Sequence, residues 1–197
     1  MTSSEPTDIR ERIIQEATSL FVARGYHGIS MREIAEAVGI SKAGLYYHFR
    51  DKETLFLAIL TANLKRVGSV ISDARSAGVT TRDQISRMVQ AILEQEPDQR
   101  AIIRLASQEM EHLSQEARAE FGFLYREKFI SQVENILQAG VAGGELRAID
   151  VGLSTWVLLG MMYPFFYPAH ERELGSADEA IELMLIIFFD GAAAKDA

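Results

Sequence analysis

Residues 30–56 read SMREIAEAVGISKAGLYYHFRDKETLF, and their punctuation decides the fold. Ser30 is a helix cap, because its short hydroxyl can accept from a free N–H of the first turn. Ile34, Ala35 and Val38 then give the helix from Met31 to Val38 one apolar face. Gly39 stops it, since glycine enters left-handed backbone without a steric cost. Ser41 caps a second helix, and Ile40 can staple onto Leu45, four positions inside. Leu45 and Phe49, one turn apart, face inward against the first helix. Two helices joined by a three-residue turn with a leading glycine spell a helix-turn-helix.

That anchoring fixes what the second helix shows to the outside. At about 100° per residue, Ala43 and Tyr47 point away from the core, with Gly44 and Tyr46 on the flanks and Lys42 and His48 nearer the edges. Small residues at the start let the helix N-terminus approach a groove, where free N–H groups and the dipole favour a phosphate. Tyrosine, histidine and lysine supply further phosphate contacts, and Tyr47 or Lys42 can reach base edges. Geometry alone leaves a plain helical domain open, because aromatic residues at helical spacing also build cores.

Outward from this turn the chain is helical throughout, without strand alternation or repeats. Upstream, Ile9, Ile13, Ala17, Leu20 and Phe21 form a stripe that Gly25 ends. Downstream, Asp51 caps a long helix over 52–71, with Phe56, Ile59, Leu60, Val67 and Val70 inside. Ile85, Met88, Val89, Ile92 and Leu93 make a further amphipathic helix. Pro97 separates it from a helix over about 98–112, and Ser114 opens a longer one that ends in GVAGG, 140–144. The last two run from Asp150 to about Phe166 and from Ser176 to about Ala193, the second with a Ser176–Glu179 capping box. The expected architecture is all-α with about nine helices. Residues 1–51 form a three-helix head, residues 52–197 form a body, and helix 52–71 links the two.

Composition narrows the function. The chain has 197 residues, net charge −8 and no cysteine, which excludes disulfides, thiol nucleophiles and cysteine metal sites. Charge is uneven: residues 1–66 carry nine Lys/Arg against eight Asp/Glu, and residues 67–197 carry eleven against twenty. An anionic partner is therefore expected at the N-terminal third. The N-terminus has no apolar signal-peptide core, and a cytoplasmic location is expected. Residues 151–169 run without a charge, long enough to cross a bilayer. Pro164 and Pro168 break the far half, so a buried helix at an oligomer interface is expected and no membrane partner.

The pattern over residues 30–56 resembles the DNA-binding head of the TetR family of transcriptional repressors. It matches at Ser30, Ile34, Ala35, Gly39, Ser41, Leu45, Tyr46, His48, Phe49, Lys52, Glu53 and Leu55. FVARGYHGIS, 21–30, fits the family's phenylalanine, glycine and aromatic before the cap. The resemblance covers about residues 8–56. It implies that Tyr46, His48 and Lys52 hold phosphates, that Ser30 and Arg32 add contacts, and that Lys42, Ala43, Gly44 and Tyr47 line the major groove. Met31 and Ser41 complete the expected DNA-binding set. Gly44 stands where the family often has a hydroxyl residue, which puts base preference in question.

Such short reading helices usually pair across a two-fold axis to read palindromic double-stranded operators. Leu153, Trp156, Val157 and Gly160, with Ile181, Met184, Leu185 and Phe188, carry more apolar surface than one chain easily hides, and are the expected homodimer interface. The resemblance also implies a small-molecule effector that acts through the long helix. A lipophilic or aromatic ligand is expected among Met110, Phe121, Leu124, Tyr125, Trp156, Met161, Met162 and Phe165, which are large, adaptable and uncharged. The other reading is a helical protein-interaction adaptor that never touches DNA. Enzyme motifs are missing from the sequence, and the single Glu-x-x-His, Glu109 to His112, lacks the second motif a di-iron bundle needs. No cofactor, metal or catalytic residue is assigned from sequence.

Overall fold

The structure, a computed structural model, describes residues 8–167 and 177–192. Ten α-helical segments occupy them: α1 Ile9–Arg24, α2 Met31–Val38, α3 Lys42–His48, α4 Lys52–Ala77, α5 Thr81–Leu93, α6 Pro97–Glu109, α7 Gln115–Tyr125, α8 Ser131–Ala142, α9 Val151–Met162 and α10 Ala177–Ala192. A π-turn, Arg126–Ile130, joins α7 to α8, so that the two make the one long helix expected and leave nine rods among the described residues. Short 3₁₀ segments follow α6 (Met110–His112) and α9 (Tyr163–Phe166). The long linking helix overruns its expected end at residue 71 by six residues. The Ser176–Glu179 capping box, Pro168 and the expected end at Ala193 lie outside the described residues.

The chain packs as two compact units, and the dividing line is not residue 52. The first unit takes residues up to 63 together with 97–122; the second takes 64–96 and 123 onward. Helix α6 and the start of α7 thus pack with the head. In the first unit the core is built from Ile13, Ala17 and Phe21 of α1, Ile34, Ala35 and Val38 of α2, Leu45 and Phe49 around α3, and Leu55, Phe56, Ile59 and Leu60 of α4. Ile102 and Leu105 of α6, with Leu113 and Ala117, close it. Hydrogen bonds add to the seal. Ser19 donates to Asp98 at 2.7 Å, the Tyr26 N–H to Glu109 at 3.2 Å, and the Ser114 N–H to Glu53 at 2.8 Å. These partners lie 79, 83 and 61 residues apart in sequence, which is why no local pattern announces them.

In the second unit Ile85, Met88, Val89 and Ile92 of α5, Val133, Ile136 and Leu137 of α8, Leu158 and Met162 of α9, and Ile181, Met184 and Leu185 of α10 are buried. The uncharged run over 151–169 contains a twelve-residue helix and a 3₁₀ turn, too short together to span a bilayer. Helix α4 alone among the described helices is long and apolar enough by composition for that, and half of its apolar window is buried in the chain, as in a core helix.

Candidate nucleic-acid interface

Local chemistry builds the helix-turn-helix as the residues demand. Ser30 accepts from the Glu33 N–H, and the Glu33 carboxylate reaches back to the Ser30 N–H at 2.9 Å, a complete capping box. Gly39 takes φ 76° and ψ 32°, the left-handed turn, and an added Cβ would meet open space, so only backbone strain excludes other residues. Ser41 accepts from the Gly44 N–H at 3.0 Å. Asp51 caps α4 by accepting from the Thr54 N–H at 2.7 Å. Each such cap contributes about 1 kcal/mol. Helix α1 braces the pair: an Arg12 guanidinium N–H donates to the Val38 carbonyl at the end of α2, and Arg10 lies 4.8 Å from the Phe49 ring centre.

Burial of Leu45 and Phe49 orients α3, and each full burial stabilises by roughly 2–3 kcal/mol. The opposite face is bare. Tyr47 is 87% exposed and Tyr46 42% exposed, with Lys42 and Ala43 also on the surface and Gly44 and His48 half-buried. The Lys42 ammonium lies 5.7 Å from the Tyr46 ring centre, and the rings of Tyr47 and His48 meet edge-on at 5.2 Å. The exposed Tyr47, on a helix that also presents Lys42 and Tyr46, makes no sense as core, and fits a surface kept for a polar anionic partner.

Beside α3 lies an open depression of about 450 Å³ lined by His27, Gly28, Ser30, Arg32, Lys42, Tyr46 and Lys52 among others. Of the expected residues, Ser30, Met31, Arg32, Lys42, Tyr46 and Lys52 line this depression, and Ala43, Gly44, Tyr47 and His48 lie on the open side of α3. Four have other engagements. Met31 is buried at 7% exposure, so its side chain belongs chiefly to the core although it also borders the depression. The Ser30 hydroxyl already donates to Glu33 at 2.6 Å, and Arg32 is paired with Glu36 at 2.8 Å. Lys52 donates to the carbonyls of Tyr26 and Ile29 at 2.8 and 3.0 Å. Burial pushes its ammonium below the ordinary lysine value, against the pull of Glu109. The sequence reading missed Glu33, which lines the same depression. Its carboxyl is pulled down to about 2, first by the Ser30 hydroxyl, then by the Ser30 N–H and Arg24. A permanent anion at the N-terminus of α2 leaves α3 as the better seat for a phosphate.

In the second unit the apolar surface is redistributed. Leu153, Trp156, Val157 and Gly160 of α9 are exposed, as an interface requires. Ile181, Met184, Leu185 and Phe188 of α10 are all under 9% exposed and face the chain's own core. The face of α10 open to a partner carries Leu183, Ile186 and Ile187 instead. The effector set divides as well: Met110 and Phe121 pack against the core of the first unit, and Leu124, Tyr125, Trp156, Met161, Met162 and Phe165 belong to the second. Tyr125 is half-buried, and burial pushes its phenol up to about 12, so it is neutral at any physiological pH. Trp156 is half exposed and Met162 wholly buried.

Comparison with known proteins agrees with this geometry. A family described as bacterial regulatory proteins, tetR family, matches residues 13–59, and a second, described as tetracyclin repressor-like, C-terminal domain, matches residues 78–164. The HTH-type transcriptional repressor AcnR of Corynebacterium glutamicum is 38% identical over 69 residues, 35% of this chain and 37% of AcnR, so the chain spans little more than a third of that relative. The HTH-type transcriptional repressor KstR2 of Mycolicibacterium smegmatis is 26% identical over 79% of this chain and 80% of its own length. Among solved structures, AibR in complex with isovaleryl coenzyme A and operator DNA superposes with a TM-score of 0.75 at 21% identity, covering 92% of this chain and 98% of that one.

Proposed function

This chain belongs to the tetR family of bacterial regulatory proteins, and from that membership we propose that it is a cytoplasmic, ligand-responsive regulator of transcription, by default a repressor. As a homodimer it binds a palindromic double-stranded operator through α3. The observation that carries the reading is Tyr47, 87% exposed on a short helix that Leu45 and Phe49 hold rigidly from beneath. Lys42, Ala43, Gly44 and Tyr47 line the major groove, and Tyr46 and His48 take the flanking phosphates. Lys52 acts chiefly by positioning, since both of its hydrogen bonds hold the turn that feeds α2. Leu153, Trp156 and Val157 of α9 meet the second copy, joined by Leu183, Ile186 and Ile187 of α10.

The effector is a small molecule with a substantial apolar part, taken up in the body around Leu124, Tyr125, Met161 and Phe165. AibR carries both isovaleryl coenzyme A and operator DNA on this fold, which supports an effector and an operator acting on one chain.

Selection of bound duplexes from random DNA, with the wild type beside Tyr47→Ala, tests the reading. A palindromic motif that is lost or relaxed in the variant is the expected result. No enrichment by folded protein at low salt would overturn it and leave the adaptor as the better account.

A further inference from the structure

His27, Glu109 and His112 come together in the first unit although 82 residues separate the first from the second. His27 sits in the turn between α1 and α2. Glu109 ends α6, and His112 closes the 3₁₀ turn that follows. One donor atom from each lies within 4.8 Å of the other two. The rings of His27 and His112 approach edge to face with their centres 4.5 Å apart. Glu109 is half-buried, and its two oxygens have different duties. Oε1 accepts from the Tyr26 N–H at 3.2 Å, while Oε2 is turned to His112 Nε2 at 3.8 Å.

That last gap is informative. It is too long for a hydrogen bond, and a few tenths over the roughly 3.4 Å between two tetrahedral ligands each about 2.1 Å from a zinc-like ion, so side-chain rotation would close the cluster on one. Two imidazoles and one carboxylate are the donor set that divalent transition metals of the zinc type favour, with a fourth position left to water. The Tyr26 N–H orients the carboxylate from behind, as outer groups orient metal ligands. Glu111, whose Oε1 is 3.8 Å from His112, adds negative charge, as do Glu53 and Asp51, whose fields also bear on Tyr26. Lys52 opposes them, but it is directed to the carbonyls of Tyr26 and Ile29.

We propose that His27, Glu109 and His112 form a binding site for a divalent transition metal ion that pins the turn before α2 to the end of α6. The sequence offers only a single Glu-x-x-His; the third ligand comes from the fold. Such an ion would fasten the loop that borders the depression beside α3, since His27 lines both.

Cobalt(II) added to the metal-free full chain tests this without DNA, so its outcome is independent of the regulatory reading. The expected result is one ion bound per chain, with the visible absorption of a low-coordinate site. His27→Ala and His112→Ala should each weaken binding by well over about 100-fold, beyond the range seen for outer-shell groups. Glu109→Gln keeps the Oε1 contact and should weaken binding with little loss of fold. Zinc should displace the cobalt and erase its spectrum. No stoichiometric uptake by the wild type, or equal uptake by the folded His27→Ala/His112→Ala double variant, overturns the site.

Discussion

The Lys52 ammonium lies 2.8 Å from the Tyr26 carbonyl oxygen and 4.5 Å from the centre of the same residue's ring. One side chain thus caps a carbonyl and covers an aromatic face, and through Ile29 it ties the turn before α2 to the start of α4. Lys52→Met keeps the aliphatic stem but strands two carbonyls. It should cost about 1–3 kcal/mol in chemical denaturation. Lys52→Arg, with its planar fork, should recover only part of this. If both variants are as stable as wild type while DNA binding is lost, the lysine serves phosphate directly and the positioning role is wrong.

Tyr47→Ala should leave stability within about 0.5 kcal/mol, because an exposed side chain that packs on little contributes little. Operator affinity should fall by about 1–3 kcal/mol, roughly five- to 150-fold, with relaxed preference at the contacted positions. Fluorescence anisotropy with cognate and scrambled duplexes separates the two effects. Equal loss on both duplexes would move Tyr47 from the bases to the backbone.

The folded pKa of Glu33 is depressed, so its contribution to stability is present above the unfolded carboxylate value and disappears as pH falls toward about 2. Wild type should therefore exceed Glu33→Gln in stability at pH 7, and the difference should shrink between the ordinary value of 4.5 and about 2. Urea titrations of both proteins across that window check it. A constant difference would mean that the capping bonds tolerate the neutral acid.

Ile187→Glu with Leu183→Glu should turn the proposed homodimer into a monomer in analytical ultracentrifugation, because both residues are 57% exposed and a charge there repels a second copy. Phe188→Ala should act differently. It cuts the buried core and lowers stability by about 3–5 kcal/mol. Dimer loss in neither double variant nor Trp156→Glu would place the interface elsewhere.

The head was legible because its signals are local. Ser30, Gly39, Ser41 and Asp51 each determine backbone within four residues, and periodicity alone turned Tyr47 outward and Leu45 inward. The body was less so. Helix α10 carries apolar residues on most of its surface, and no pattern of one helix says which side meets its own chain and which a partner; the side with Ile181 and Leu185 went inward. Likewise Met31, at a position that suits a contact with DNA, is apolar and was drawn into the core. The packing of α6 with the head rests on side-chain pairs such as Ser19 with Asp98, remote in sequence and unmarked by any motif.

Gly68 of α4 faces the π-turn between α7 and α8, where a Cβ would come within 3.0 Å of the Lys128 carbonyl oxygen. The two rods therefore touch main chain to main chain, at the point where one of them is already wound too wide. Side chains can change rotamer to absorb a displacement, and backbones cannot. A shift of the π-turn has no cushion there and must be passed on to α4 as movement of the whole rod. A single added methyl at position 68 would wedge that bearing open.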